Sequence, residues 1–238
     1  MNTSGEDGRL EQIATRWTLL HRAHEGAADM IAQAQAQLLD RYGGAIRRYL
    51  LGALRDEEAA DDLFQEFAYR FLHGDFRGAC REKGRFRDFI KGVMSHMVAD
   101  ACNRRKRLPQ GLPENFPEPV ASSDSERDRL FQESWRDELL AKTWQKLEEA
   151  EVSSGQPFYT VLRFRADHPE LRSPELASQL SERLAKPLTA PGVRQLLHRA
   201  RESFAELLRA QVRDSLAGDD PEEMEQELQD LGLAGYLK

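Results

Sequence analysis

The sequence is poor in the features that mark several common protein classes. It has only two cysteines, Cys80 and Cys102, and no Cys-x-x-Cys pair, which argues against a disulfide framework or a zinc site and fits a reducing cytoplasm. No run approaches the roughly 18–20 apolar residues of a membrane span, and residues 1–10 have no apolar signal core. A glycine-rich phosphate loop and a credible Ser-His-Asp or Cys-His set are lacking too. We therefore expect a cytoplasmic protein without membrane insertion, bound metal, cofactor or catalytic residues of its own.

Helical periodicity dominates the chain, because apolar residues recur at intervals of three and four and no segment alternates convincingly as a strand would. Three apolar stripes over 39–53, 58–72 and 86–101, together with a helix near 10–36, can share one core. Gly43 and Gly44 are expected to weaken the first of these helices or break it, at about 1 kcal/mol each relative to alanine. The stripe of 58–72 consists of Ala60, Leu63, Phe64, Phe67, Ala68, Phe71 and Leu72.

Proline is concentrated in one stretch, where four prolines fall within residues 109–119. So many prolines exclude a regular helix, and residues 108–127 are therefore predicted to be a linker. We expect an all-α fold of two small helical domains, 10–107 and 128–213, followed by an acidic tail over 214–238.

Charge is distributed in blocks of opposite sign, although the chain as a whole carries a net charge of −7. Residues 77–107 contain ten lysines and arginines against three acids, and residues 189–213 contain five arginines against two acids. Residues 113–151 and 217–238 are acidic. Since binding to nucleic acid depends on local patches rather than on net charge, the two basic blocks are the candidates for contact with DNA.

A pair of capped helices is predicted around the second basic block. Ser173 and Pro174 suit an N-cap and a first helical position, Lys186-Pro187 would end that helix, and Thr189 would cap the next one. Two helices joined by a turn of about four residues have the spacing of a DNA-binding helix–turn–helix, whose second helix enters the major groove. An ordinary αα-hairpin with a solvated basic face is the alternative interpretation.

The polar side chains of the second helix suit contact with base edges. Arginine and glutamine carry forked donors that match guanine and adenine in the major groove. The candidates for DNA contact on this helix are Thr189, Arg194, Gln195, His198, Arg199 and Arg201.

The first basic block mixes cations with aromatic rings, a combination that suits single-stranded DNA. Phe86 and Phe89 lie on the apolar stripe, however, so packing in the core is the favoured role for both. The cations at 104–107 have a second interpretation as a solvated helix end, favoured by the helix dipole.

Three blocks, in this order, resemble a known family. Residues 61–67, Asp-Asp-Leu-Phe-Gln-Glu-Phe, resemble the Asp-Leu-x-Gln-Glu helix with which bacterial sigma factors of the extracytoplasmic-function type bind core RNA polymerase. Residues 84–107 resemble the stretch that recognises and melts the −10 promoter element, and residues 193–208 resemble the −35 reading helix. Family members usually have Trp, Asn and Arg where this chain has Phe89, His96 and Asn103.

The resemblance implies a sigma factor whose partners are core RNA polymerase and promoter DNA, and it leaves open an anti-sigma factor as a further partner. It implies polymerase contacts from Asp62, Gln65, Glu66, Tyr69 and Arg70. It implies −10 contacts from Arg85, Arg87, Lys91, His96, Asn103, Arg104, Arg105, Lys106 and Arg107. It implies −35 contacts from Thr189, Arg194, Gln195, His198, Arg199 and Arg201. The bond-making chemistry would belong to the polymerase, so the chain itself is not expected to be an enzyme.

Two other functions remain open on the residues alone. One is a two-domain helix–turn–helix regulator that binds duplex DNA without polymerase, and the other is a helical module that binds only proteins. The acidic tail ends in an apolar patch and is predicted to form a short docking helix on either domain. It would serve either to mask a basic DNA-binding face or as a structural cap. The patch consists of Leu228, Leu231, Leu233, Tyr236 and Leu237.

Overall fold

A computed structural model describes residue 23 and residues 28–76, 85–106, 123–216 and 220–237. These described ranges hold eight α-helices and one 3-10 turn and no strand, so the all-α class is confirmed. Most of the helix predicted near 10–36 falls before Ala28 and therefore lies outside the described residues. The elements are α1 (Ala28–Leu54), α2 (Glu57–His73), α3 (Phe86–Lys106), α4 (Asp124–Ser154), α5 (Phe158–Asp167), α6 (Ser173–Arg183), α7 (Ala190–Arg213), α8 (Pro221–Asp230) and the 3-10 turn (Ala234–Leu237).

The chain divides into two compact units. Unit 1 comprises Met1–Glu138 and Arg213–Leu231, and unit 2 comprises Leu139–Val212 and Gly232–Lys238. The division falls inside α4, beyond the linker predicted at 108–127, of which residues 108–122 lie outside the described part. Within the predicted tail, α8 belongs to unit 1 and the 3-10 turn belongs to unit 2.

Aromatic side chains hold the start of α4 in the core of unit 1. The Tyr42 ring of α1 stacks on Trp135 with centroids 4.9 Å apart, and Tyr49 meets Phe131 edge-on at 5.4 Å. The Tyr42 ring also contacts the Phe86 ring of α3, with centroids 5.0 Å apart. Such offset and edge-on pairs contribute about 0.5–1.5 kcal/mol each beyond the area they bury. This packing explains why residues 124–138 belong to unit 1 rather than to the second domain.

The expectation that Gly43 and Gly44 break the first helix is wrong, because α1 runs unbroken from Ala28 to Leu54. That they weaken it stays a prediction. The two glycines instead allow neighbours to approach α1 closely. A Cβ added at Gly43 would lie 3.3 Å from the Phe64 ring, and one at Gly44 would lie 2.8 Å from the carboxyl carbon of Glu138. The helix is therefore kept by tertiary packing that outweighs the low helix propensity of glycine.

Helix α2 begins and ends where local chemistry requires. The carboxylate of its N-cap, Asp56, accepts a hydrogen bond from the Ala59 amide at 3.1 Å. Gly74 follows the helix with a φ of 86°, the left-handed conformation that ends many helices at glycine. Its stripe buries Ala60, Leu63, Phe67 and Phe71, but Leu72 is 46% exposed and its assignment to the core is wrong. Leu72 lies at the edge of the stripe, in the last turn of α2.

Unit 2 packs α5, α6 and α7 around one cluster of buried side chains. Helix α4 adds Trp144, whose ring lies 4.9 Å from Phe204 of α7. The cluster buries Leu176, Ala177 and Leu180 of α6 and Val193 and Leu197 of α7. Its buried members are Val161, Phe164, Leu176, Ala177, Leu180, Val193 and Leu197.

The boundaries of the paired helices differ slightly from those predicted. Helix α6 has Arg172 rather than Ser173 as its N-cap, because the Arg172 amide donates to the Glu175 carboxylate at 2.7 Å. It ends at Arg183, before Lys186-Pro187, since Ala185 adopts a left-handed φ of 48° that stops the helix. No helix in the described ranges is both long and apolar enough to cross a membrane.

Candidate nucleic-acid interface

The turn between α6 and α7 is fixed by side chains at both of its ends. Ser181 Oγ of α6 accepts a hydrogen bond from the Leu188 amide at 2.8 Å and donates to the Ala177 carbonyl at 2.5 Å. At the start of α7, Thr189 Oγ1 accepts from the Gly192 amide at 3.2 Å, so Thr189 is the N-cap that was predicted. The turn therefore fixes the direction in which α7 leaves, as a helix–turn–helix requires.

Helix α7 separates a buried face from a basic exposed face. Val193, Leu197 and Ala200 are buried in unit 2. The candidates Arg194, Gln195, His198, Arg199 and Arg201 are all exposed, and so is Thr189. Among the described residues, Arg194 and Gln195 have no hydrogen-bonding or ionic partner. The structure therefore places five polar side chains of the first three turns of α7 on one accessible surface.

Two of these side chains have neighbours within unit 2. The Arg199 guanidinium lies over the Phe158 ring at 5.4 Å, a cation–π contact that limits where the arginine points. His198 Nε2 lies 3.5 Å from Glu202, one turn further along α7. Both contacts are at exposed sites and leave donor groups accessible.

A cavity of about 530 Å³ beside α7 is lined by four arginines, Arg165, Arg172, Arg194 and Arg201, and by one acid, Glu170. Arg165 is anchored from Nη1 to the Leu171 carbonyl at 2.6 Å, while Arg172 is exposed at the start of α6. Guanidinium groups bind phosphate through paired donors, so this cavity suits a phosphate backbone. The sequence pointed only to Arg194 and Arg201, because Arg165 and Arg172 lie on other elements and nothing local relates them to α7.

In unit 1, the predicted polymerase-binding residues lie on the exposed side of α2. Asp62, Gln65 and Tyr69 are exposed, and Tyr69, 62% accessible, stacks on His73 at 3.9 Å. Glu66 is half-buried and pairs with Arg70 at 2.6 Å and with Arg104 of α3 at 3.2 Å. Leu72 is exposed too, so this face carries both charged and apolar side chains.

The neighbouring Asp61 contributes to the fold rather than to that face. Arg47 of α1 donates to its carboxylate at 2.7 Å from Nε, and a second bond reaches Glu57 at 3.2 Å. The hydrogen bond from Arg47 lowers the pKa of Asp61 below its ordinary value. Of the two adjacent aspartates, only Asp62 is therefore left for a partner.

The candidates for −10 contact fall into two groups on α3. His96, Asn103 and Arg104 are exposed, and among the described residues Arg104 pairs only with Glu66. Asn103 and Arg104 follow His96 by seven and eight residues, so the three side chains project from one side of the helix. The side chains of Arg105 and Lys106, and all of Arg107, lie outside the described residues.

The second group, Arg85, Arg87 and Lys91, is occupied by acids of the same unit. Lys91 Nζ lies 3.3 Å from Asp128 of α4. Arg85 Nη1 donates to Glu227 at 2.9 Å and to Asp230 at 2.8 Å, both on α8. Arg87 Nη2 donates to Asp230 at 3.2 Å, and its Nε lies 3.0 Å from Glu227 in an ion pair without hydrogen-bond alignment. The tail therefore forms the predicted docking helix, and its target is the start of α3.

The ionisation of this cluster reflects both burial and pairing. Burial raises the pKa of Glu227, while Arg87 and Arg85 act in the opposite direction. For Asp230, burial also acts upward, but hydrogen bonds from Gln226 and Arg85 leave its pKa lowered. Burial disfavours the charge on Arg85, yet hydrogen bonds to Asp230 and Asp88 raise its pKa, so it stays a cation.

Within the described part of the chain, no group of three or more His, Cys, Asp or Glu is arranged to hold a metal ion. Comparison of the chain with protein-family models, with curated proteins and with solved structures finds no match.

Proposed function

We propose that this protein is a sigma factor, which binds core RNA polymerase in the cytoplasm and directs it to promoters. The observation that carries the proposal is the helix–turn–helix of unit 2, whose second helix exposes Arg194, Gln195 and His198 on one face. Arginine and glutamine are side-chain types that hydrogen-bond base edges in the major groove. The cavity with four arginines beside this face supports phosphate contacts that would hold the helix in register.

Unit 1 supplies the features that extend DNA binding to a sigma factor. Its α2 presents Asp62, Gln65 and Tyr69 to solvent, the face that resembles the polymerase-binding helix of the family. Its α3 carries His96 and Asn103 on an exposed face that would contact the −10 element. The −35 duplex would be bound by α7, and the nucleotidyl transfer itself would be performed by the polymerase.

Binding to core polymerase is the test that separates this proposal from its alternatives. We expect the purified chain to form a complex with core enzyme at moderate salt and to start transcription from a promoter fragment. Replacing Gln65 and Tyr69 by alanine should weaken that complex at least tenfold. The double replacement of Gln33 and Gln37 by alanine, at two exposed positions of α1, is the matched control and should change it little. Absence of a complex between the unaltered chain and core enzyme would reject the sigma-factor proposal.

A regulator that binds duplex DNA without polymerase is the second candidate, favoured by the same cavity of arginines in unit 2. It predicts no complex with core enzyme but binding to duplex DNA that weakens steeply with added salt. If neither core enzyme nor DNA is bound, a helical module that binds other proteins is left, and the exposed Tyr69 and Leu72 would mark its surface.

A further inference from the structure

One ionic cluster of unit 1 joins residues that are far apart in sequence, such as Arg85 and Glu227, which are 142 positions apart. Arg85 directly precedes α3 and Arg87 lies in its first turn, and the two carboxylates that they contact, Glu227 and Asp230, belong to α8. Asp230 accepts from Arg85 at 2.8 Å and from Arg87 at 3.2 Å, so it bridges both guanidinium groups. Glu227 lies 2.9 Å from Arg85 and 3.0 Å from Arg87.

Burial distinguishes this cluster from ordinary surface ion pairs. The side chains of Arg87 and Glu227 are only 5% and 1% exposed, whereas those of Arg85 and Asp230 are 32% and 24% exposed. Leu228 and Leu231 are buried beside them and hold α8 in place. Two cations are thus covered by a helix that carries acids and no lysine or arginine between Asp220 and Asp230.

The chemistry of the cluster is that of an occupied anion site. A guanidinium group offers planar, paired donors that fit carboxylate and phosphate oxygens alike. Residues 227 and 230 are three positions apart, so their carboxylates project from the same face of α8 and reach both arginines. The same two arginines begin the helix whose exposed face carries His96 and Asn103. Because both guanidinium groups reach the Asp230 carboxylate, both would be accessible to phosphodiester oxygens at that place if α8 were absent.

We propose that Arg85 and Arg87 form a phosphodiester-binding pair that α8 occupies with Glu227 and Asp230, so that α8 and nucleic acid compete for it. The identity of the anion rests on the proposed function, because a DNA-binding α3 supplies the phosphates. The occupancy of the pair by carboxylates does not depend on that function. In free protein the pair is closed, and nucleic acid gains two cations only when α8 leaves.

Substitution of the two carboxylates tests the competition in the full chain. The double variant Glu227→Gln, Asp230→Asn keeps the size of both side chains but leaves the buried Arg87 without an anion and Arg85 with Asp88 alone, at 3.0 Å. A buried unpaired charge is strongly unfavourable, so α8 should leave and the arginines should become accessible. The matched control is Glu222→Gln, Glu225→Gln, which makes the same change in net charge at two exposed positions of α8.

The probe is a single-stranded oligodeoxynucleotide of arbitrary sequence, whose affinity is measured over a range of salt concentrations. Each phosphate contact on a single strand steepens the plot of log affinity against log salt by about 0.7. The double variant at 227 and 230 should therefore gain about 1.4 in slope and bind roughly tenfold or more tightly at 0.1 M salt. The control variant at 222 and 225 should gain much less in both slope and affinity. Equal gains in both variants, or no gain in either, would overturn the proposal and leave α8 as a structural cap.

A second measurement uses the unaltered protein and does not depend on how the variants fold. Amide hydrogen exchange of residues 220–231 should accelerate when the oligonucleotide is added to saturation, because α8 is then displaced. Unchanged exchange at saturation would contradict the competition. Failure of the proposed function can be told apart from failure of the competition. If the protein is not a sigma factor, no complex with core polymerase forms, but the two double variants still differ in affinity for the oligonucleotide.

Discussion

Arg194 is the single residue on which the proposed DNA contact of unit 2 most depends. It is exposed in the first turns of α7, it lines the cavity of arginines, and it has no polar partner among the described residues. A long cation without an intramolecular partner contributes little to folding, so its removal should leave stability almost unchanged. Its chemistry is suited instead to the paired acceptors of a guanine edge.

We predict that Arg194→Ala weakens initiation from promoters with a −35 element by the equivalent of about 1–3 kcal/mol, roughly tenfold or more. Binding to core polymerase should be unchanged, and thermal unfolding should stay close to that of the parent. Arg129→Ala removes the same charge from an exposed position of α4 in unit 1 and serves as the control. Equal losses of initiation in the two variants would show that only overall charge matters.

The positions that depart from the usual family pattern differ in how much they contribute to packing. Phe89 is half-buried and lies 5.9 Å from Phe76 and 6.2 Å from Phe86 in ring contacts, so its role in the core survives without an indole. His96 and Asn103 are exposed and have no such constraint. A change of promoter sequence preference would therefore arise at His96 and Asn103 rather than at Phe89.

Among the helices, α1 shows how packing decides what propensity leaves open. Gly44 allows the Glu138 carboxylate to lie against the α1 backbone, where it accepts a hydrogen bond from Arg48 at 2.5 Å. Gly92 of α3, by contrast, has nothing within 4 Å of the place where a Cβ would stand. The two helical glycines thus differ in environment although their propensities are equal.

We predict opposite effects on stability when each of these glycines is replaced by alanine. Gly92→Ala should raise the free energy of unfolding by about 0.5–1 kcal/mol, because alanine restricts the unfolded chain and favours helix. Gly44→Ala should lower it by about 1 kcal/mol or more, since the methyl group displaces the carboxylate from Arg48 and overpacking exceeds the gain in propensity. Urea unfolding of both variants measures the two shifts. A stabilised Gly44→Ala protein would show that Glu138 moves aside without cost.

How far the sequence predicts this fold depends on whether the determining interactions are local. Helices α2, α6 and α7 follow from apolar spacing and from caps, and the cap at Thr189 was predicted correctly. The continuity of α1 through Gly43 and Gly44 could not be predicted, because it rests on contacts with Phe64 and Glu138 on other helices.

The candidate site was predictable to a similar degree. The basic face of α7 follows from its helical period, and all its candidates prove to be exposed. The pairing of Arg85 with Glu227 was not predictable, because charge blocks indicate that two segments attract each other but not which side chains meet. Arg165 likewise joins the cavity beside α7 only through the tertiary fold of unit 2.

For the whole molecule, net charge is a poor guide to DNA binding, because cations and acids are segregated. The chain carries a net charge of −7, yet the described cations of α7 are exposed while Arg85 and Arg87 are covered by acids. At 0.1 M salt, charges farther apart than about 10 Å scarcely interact. If the chain binds DNA as proposed, its affinity depends on which cations are uncovered, and α8 changes that number within unit 1.

Removal of the tail should move stability and DNA affinity in opposite directions. Truncation after Leu216 removes Leu228, Leu231 and Leu233, which are buried in the folded chain. A fully buried leucine contributes about 1.5–3 kcal/mol, and compactness of the unfolded chain reduces such sums, so we expect a loss of roughly 3–6 kcal/mol.

The same truncation uncovers Arg85 and Arg87 and should tighten binding to single-stranded DNA. Truncation after Leu233 keeps α8 with both carboxylates, so Arg85 and Arg87 stay covered and the gain in affinity that depends on them should be missing. Urea unfolding and affinity for single-stranded DNA are measured on the full chain and on both truncated chains. If the tail only caps the fold, its removal lowers stability without any gain in affinity.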